Sequence, residues 1–167
     1  MWQWEKNSIL YTVTPYVPTR TIFEAVCTEI GRYYQDREIT YTKSKKELKW
    51  KGNNIWCKFG FWSSRSNKSG EWVNLEIVTS VFALDISEME RKGILVFGIK
   101  PKNFNVYQID YDKFNEIITF IENKLELVKS LDTKEGLESY LLKTSKQAFI
   151  EKDPNNLRYL NIFELDS

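Results

Sequence analysis

The sequence predicts an α+β domain: an antiparallel meander with an N-terminal helix and two C-terminal helices packed on it. Three observations predict this. Stretches near both ends keep apolar residues at spacings of three and four, the helical period. Between them, stretches alternate apolar and polar residues, the period of half-buried strands. The turns joining those strands are short, which favours hairpins over crossover connections. The 167 residues are expected to form one globular domain, residues 1–167. A chain of that length buries a core without a disulfide or metal staple.

The first helix is expected over about residues 18–35. Pro18 suits a first helical turn, where its missing N–H costs nothing. Ile22, Phe23, Val26, Cys27, Ile30, Tyr33 and Tyr34 form one stripe, with Glu24, Thr28, Glu29 and Arg32 on the other side. Three strands follow over 40–51, 55–63 and 71–81. Gly52-Asn53-Asn54 turns the chain between the first two, because Gly and Asn tolerate positive φ. Residues 85–93 read as a short helical or turn segment and 94–99 as a buried strand. Lys100-Pro101-Lys102-Asn103 is expected to interrupt that strand, with one more strand over 105–109.

The second long helix is expected to start at Asp112 as N-cap. Phe114, Ile117, Ile118, Ile121, Leu125 and Val128 supply its buried stripe. A third helix is expected over about 133–150, with Leu137, Leu141, Ala148 and Phe149 facing inward. Asp153-Pro154-Asn155-Asn156 ends it, and a short apolar tail follows.

Composition excludes several functions. Hydrophobic residues at 42% argue against disorder. Lys plus Arg number 24 and Asp plus Glu 23, a net charge of +1. That removes the global field of a dedicated nucleic-acid binder and leaves room only for a local patch. With no His, the His-bearing serine and cysteine triads and His–carboxylate zinc sites are absent. Cys27 and Cys57 are too far apart for a Cys-x-x-Cys site and are expected as buried apolar residues, with one disulfide as the alternative. No metal and no cofactor are expected. The N-terminus lacks the basic and apolar regions of a signal peptide, and no apolar run approaches a membrane span. A cytoplasmic location without membrane contact is therefore the expectation.

The strand region carries the strongest functional signal. Its alternation puts Leu48, Trp50, Ile55, Cys57, Phe59, Phe61, Val73, Leu75 and Ile77 on one face, fit to receive the first helix. The opposite face carries Glu47, Lys49, Lys51, Trp56, Lys58, Gly60, Trp62, Trp72, Asn74 and Glu76. Trp pairs a wide apolar surface with one N–H donor, and an ammonium over its ring adds to that. Such a face can stack bases, sugars or a peptide. The plainer expectation, and the favoured one, is that the C-terminal helices or Trp2 and Trp4 cover it.

Three further features weigh less. The loop Ser63-Ser64-Arg65-Ser66-Asn67-Lys68-Ser69-Gly70 offers donors for an anion but reads first as a solvated hairpin loop. Lys43, Lys45, Lys46, Lys49 and Lys51 read first as an edge strand guarded by lysine, and otherwise as a nucleic-acid contact. Glu47-Leu48-Lys49 has the Glu-x-Lys spacing of metal-dependent nucleases. On a strand that spacing puts a Mg²⁺-binding carboxylate and a phosphate-stabilising ammonium on one face.

The stretch from Ile55 to Ile77 contains Ser64-Arg65-Ser66-Asn67 and Val73-Asn74-Leu75. It resembles small bacterial domains in which a helix precedes an antiparallel sheet with a Ser-Arg-x-Asn-like element between strands. The resemblance covers the first half of the chain. It implies an α+β fold and no activity.

The leading functional expectation is a non-catalytic binding or interaction module. Trp56, Trp62, Trp72, Lys49, Lys58, Arg65 and Asn74 would form its binding surface. Another protein is the expected partner, with a homodimer and nucleic acid as alternatives. A Mg²⁺-dependent phosphodiesterase using Glu47 and Lys49 is the second reading. An immunity-type or regulatory partner of another protein is the third.

Overall fold

The computed structural model describes residues 2–83, 94–133 and 135–136. Five strands, β1 (Ile39–Thr42), β2 (Glu47–Lys51), β3 (Ile55–Ser63), β4 (Asn74–Ala83) and β5 (Ile94–Asn105), form one antiparallel sheet in chain order. Two helices, α1 (Thr19–Tyr33) and α2 (Tyr111–Ser130), complete the described fold, with a 3₁₀ turn at Ile9–Tyr11. The expected meander and α+β class are present. The expected third helix, the 85–93 segment and the 157–165 tail fall largely or wholly outside the described residues. No helix among the described residues is long and apolar enough to cross a membrane.

Both helices bury their stripes in one core with the same face of the sheet. Ile22, Phe23, Val26, Cys27 and Ile30 of α1 join Phe114, Ile117, Ile121, Leu125 and Val128 of α2. The sheet contributes Leu48, Trp50, Ile55, Cys57, Phe59, Phe61, Leu75 and Ile77. We call this the inner face. Its register is continuous across the middle strands: Leu48 opposes Phe59, Trp50 opposes Cys57, Cys57 opposes Val81, and Phe61 opposes Ile77. Gly31 lets α1 approach the sheet closely, since a Cβ there would collide with the Tyr41 ring. Cys27 and Cys57 are free, buried thiols.

Several boundaries differ from the sequence reading, each for a local reason. Residues 40–51 form two strands, because a four-residue turn, Lys43-Ser44-Lys45-Lys46, separates Thr42 from its partner Glu47. Lys46 takes φ of 51° there, a conformation usually given to Gly or Asn. The lysines therefore do not stud an edge: β1, the edge strand, carries none. β5 runs through Pro101 instead of stopping at residue 99, and the separate 105–109 strand does not form. Proline is tolerated because β5 lies at the other edge of the sheet among the described residues. The N-cap of α2 is Asp110, whose carboxylate accepts from Lys113 N at 2.8 Å; Asp112 lies inside the first turn.

The N-terminal segment straps the helices together. Trp4 stacks on Tyr111 at 5.0 Å between centroids and meets Phe114 edge-on at 4.9 Å. Trp2 stacks on Phe114, and the Arg32 guanidinium lies 4.2 Å from its ring centroid. These two Trp thus lie against the helices and not over the far face of the sheet. The strap also buries Glu29, which the helical pattern places outside. Glu29 is 2% exposed, accepts from Glu5 N at 2.8 Å, and is paired with Arg32 at 2.7 Å. A buried carboxylate needs such partners.

Candidate outer-face binding surface

With both helices on the inner face, the opposite face of the sheet is the outer face. β2 contributes Glu47, Lys49 and Lys51 there; β3 contributes Trp56, Lys58, Gly60 and Trp62. β4 adds Glu76, Val78, Ser80 and Phe82. The pairings Lys49–Lys58, Lys51–Trp56, Trp56–Phe82, Lys58–Ser80 and Trp62–Glu76 hold these side chains in register. Their placement follows from strict alternation along β3, whose residues from Ile55 to Phe61 switch between fully buried and partly exposed.

The aromatic groups on this face are organised in two ways. Trp56 and Phe82 stack with centroids 4.0 Å apart and planes 9° from parallel. The Lys49 ammonium lies 4.1 Å from the Trp56 centroid, and the Lys58 ammonium 5.6 Å from that of Phe82. The stack is thus capped by cations, an arrangement favoured by the negative ring face. Trp62 is different. It is 62% exposed, and its indole N–H edge would stand 3.0 Å from a Cβ built on Gly60. The absent side chain at Gly60 lets this ring fold back along the strand.

A concavity of about 370 Å³ lies beside Trp62, lined by Lys45, Glu47, Lys58, Gly60, Val78 and Ser80 among others. Lys45, Lys49, Lys51 and Lys58 form no ion pair among the described residues. The neighbouring Lys46 turns the other way, to Glu24 on α1 at 3.6 Å. Glu24 is also hydrogen-bonded to Arg20, and these cations hold its carboxyl below the usual range.

The remaining predicted residues stand elsewhere. Arg65 and Trp72 belong to the β3–β4 connection, where Trp72 is 44% exposed and bridges Lys68. Asn74 is 8% exposed and its amide donates to Asn103 Oδ1 at 2.9 Å. It is part of a brace: Asn67 donates to Ser63 Oγ at 2.7 Å and accepts from Asn74 N at 2.8 Å. Lys68 pairs with Glu71 at 2.7 Å, and Gly70 closes the loop at φ of 79°. The donors read as anion ligands are in part consumed within the loop.

Glu47 and Lys49 do share the outer face, as their spacing requires. Among the described residues no group of three His, Cys, Asp or Glu side chains is placed to hold a metal ion.

Sequence reading missed the role of Asp132. This residue follows α2, and its carboxylate accepts from Asn53 N at 2.8 Å, Asn54 N at 2.7 Å and Ile55 N at 3.1 Å. Asn54 Nδ2 returns a bond to the Asp132 carbonyl at 2.9 Å. The β2–β3 hairpin that carries Lys49, Lys51 and Trp56 is thereby tied to the end of α2. No sequence signal marks this contact, because its partners are 77 to 79 residues apart. The comparisons add no second line of argument: no family model, no curated protein and no solved structure matches the chain.

Proposed function

We propose that this protein is a non-catalytic binding module that receives its partner on the outer sheet face. One observation carries the reading. A capped Trp56–Phe82 stack, an exposed Trp62 and four lysines without ion partners among the described residues share the side opposite both helices. Exposed aromatic surface is an aggregation liability, and with those unpaired lysines beside it, it gives a partner both apolar area and electrostatic complementarity. Trp56, Trp62, Lys49 and Lys58 make the contacts in this reading. Arg65 and Trp72 extend the surface along the β3–β4 connection. Asn74 supports that connection from within.

Site-specific photo-crosslinking in the expressing cell tests this. A photoreactive residue replacing Trp62 should give a discrete adduct that Lys49→Glu with Lys58→Glu removes. The same residue replacing Tyr16, which is 94% exposed, should not give it. Identical adducts from both positions, or none from position 62, would overturn the proposal.

A further inference from the structure

We infer that the concavity beside Trp62 binds a phosphorylated nucleoside unit, with the base against the indole and the phosphate between Lys45 and Lys58. The inference rests on the outer-face reading and names the chemistry of its ligand.

The position of the site excludes one recognition mode. The concavity lies over β2, β3 and β4, the three central strands, each paired on both sides. Apart from register shifts of β4 against β5, one of them at Val78, their backbone N–H and C=O groups are used in the ladder. An extended peptide therefore has no strand edge here to join, and side chains must do the recognition. Those side chains are an aromatic ring, two ammonium groups, one carboxylate and one hydroxyl: Trp62, Lys45, Lys58, Glu47 and Ser80. Two cations against one carboxylate favour an anion. The Trp62 ring offers a platform for a flat π system, and every base has such a face. A neutral sugar would use the ring but leave the ammonium groups without a counter-charge. A bare anion would use the ammonium groups but leave the ring unused. A nucleotide uses both, and Glu47 can accept from an exocyclic amine or a ribose hydroxyl.

The volume agrees with one such unit. About 370 Å³ lies at the lower end of small-ligand sites, which span roughly 300–1,000 Å³. The floor is Gly60, where any Cβ would press on the Trp62 indole edge. The nucleotide unit can be free or part of a single strand. In the second case the Lys49 and Lys51 side of the outer face would follow the neighbouring phosphates.

Titration followed by the indole N–H resonance of Trp62 and by calorimetry, at low salt, tests this with three probes. These are adenosine 5′-monophosphate, adenosine, and a single-stranded RNA of six adenylates. The monophosphate should shift the Trp62 resonance and bind at least fivefold tighter than adenosine. Trp62→Ala should weaken binding about tenfold or more, within the range measured for stacking of one base. Lys45→Ala with Lys58→Ala should abolish the preference for the monophosphate. A hexamer binding more than tenfold tighter than the monophosphate identifies a strand as the ligand; equal affinities identify a free nucleotide. No shift at Trp62 with any probe at millimolar concentration, or unchanged affinity in Trp62→Ala, would overturn the inference. If a protein adduct then forms from position 62 in the crosslinking experiment, the nucleotide inference fails while the outer-face reading stands. If that adduct is also missing, both fail.

Discussion

The two faces of the sheet are both rich in aromatic residues, and they use them for opposite ends. On the inner face Trp50, Phe59 and Phe61 are 7%, 0% and 5% exposed. Helices α1 and α2 cover them, and the rings serve as apolar volume. On the outer face Trp56 stacks on Phe82 under a lysine, and Trp62 stands 62% exposed. Along β3 alone, Phe59 and Phe61 point inward and Trp56 and Trp62 outward, so residue type alone does not separate core from surface. The neighbours do. Inner-face rings sit among Leu, Ile and Cys. Outer-face rings sit among lysines, whose charge cannot be buried without a partner.

This difference is broken most severely from the inside. Phe59 is fully buried in the middle of β3, opposite Leu48 and Thr79. Phe59→Ala should cost about 3–5 kcal/mol through lost burial and the cavity it leaves. Urea denaturation checks this. A loss below about 1 kcal/mol, the level of an ordinary substitution, would mean that the inner face is not the core.

Asp132→Ala attacks the tie between the two halves of the molecule. It leaves three backbone N–H groups of the β2–β3 hairpin without their carboxylate acceptor. Hydrogen bonds to charged groups are worth about 1.5–3 kcal/mol, and water reaches this turn, so a loss of about 2–3 kcal/mol is expected. That corresponds to a fall in Tm of about 4–12 °C for a chain of this size. Calorimetry measures it, and Asp132→Asn should recover part of the loss, since its amide oxygen still accepts.

The thiols sharpen the comparison through pH. Burial pushes the Cys57 thiol up from 9.0 to about 12, and it raises Cys27 as well. In the unfolded chain both ionise near the ordinary value; in the folded chain they stay protonated. The stabilisation is therefore complete below pH 9 and is lost as pH rises toward about 12. Each thiol should contribute a slope of up to about 1.4 kcal/mol per pH unit in that window. Denaturation between pH 8 and 11 checks the sign, and Cys57→Ala should flatten the slope. In the native state both thiols should resist iodoacetamide until the protein unfolds.

Legibility followed the same division. Alternation from Ile55 to Phe61 and the spacing from Phe114 to Val128 were enough to place both faces of the sheet and the buried stripe of α2. The turn at Lys43–Lys46 was not legible, because alternation continues on both sides and no Gly or Asn marks the positive φ at Lys46. Pro101 looked like an interruption because a sequence does not say which strand is an edge. The placement of α2, Trp2 and Trp4 over the outer face was read the wrong way for a related reason, while the expected 133–150 helix lies almost wholly outside the described residues. A helix stripe shows that it must be buried, but not against which side of a sheet. Of the candidate residues, Trp56, Trp62, Lys49 and Lys58 share the outer face, as the pleat demands. Asn74 shares that parity yet serves the loop, and one of its partners, Asn103, is 29 residues away in sequence. Asp132 left no trace for the same reason.

The smallest expected effect tests the outer face most directly. Trp62→Ala removes a large aromatic side chain, and at an inner-face position such a change costs about 3–5 kcal/mol. At position 62 the ring is 62% exposed and leans on Gly60, so most of its area already faces water. The change in stability should stay within about 0.5 kcal/mol, as for surface positions generally. Binding should respond in the opposite proportion, with a loss of affinity and an unchanged urea midpoint. Lys49→Ala should fall between the extremes, removing a cation–π contact worth about 0.5–1 kcal/mol at an exposed site. A loss of several kcal/mol from Trp62→Ala would show that the ring is held in a packed environment. The outer face would then be a second core surface, and the proposed binding function would lose its platform.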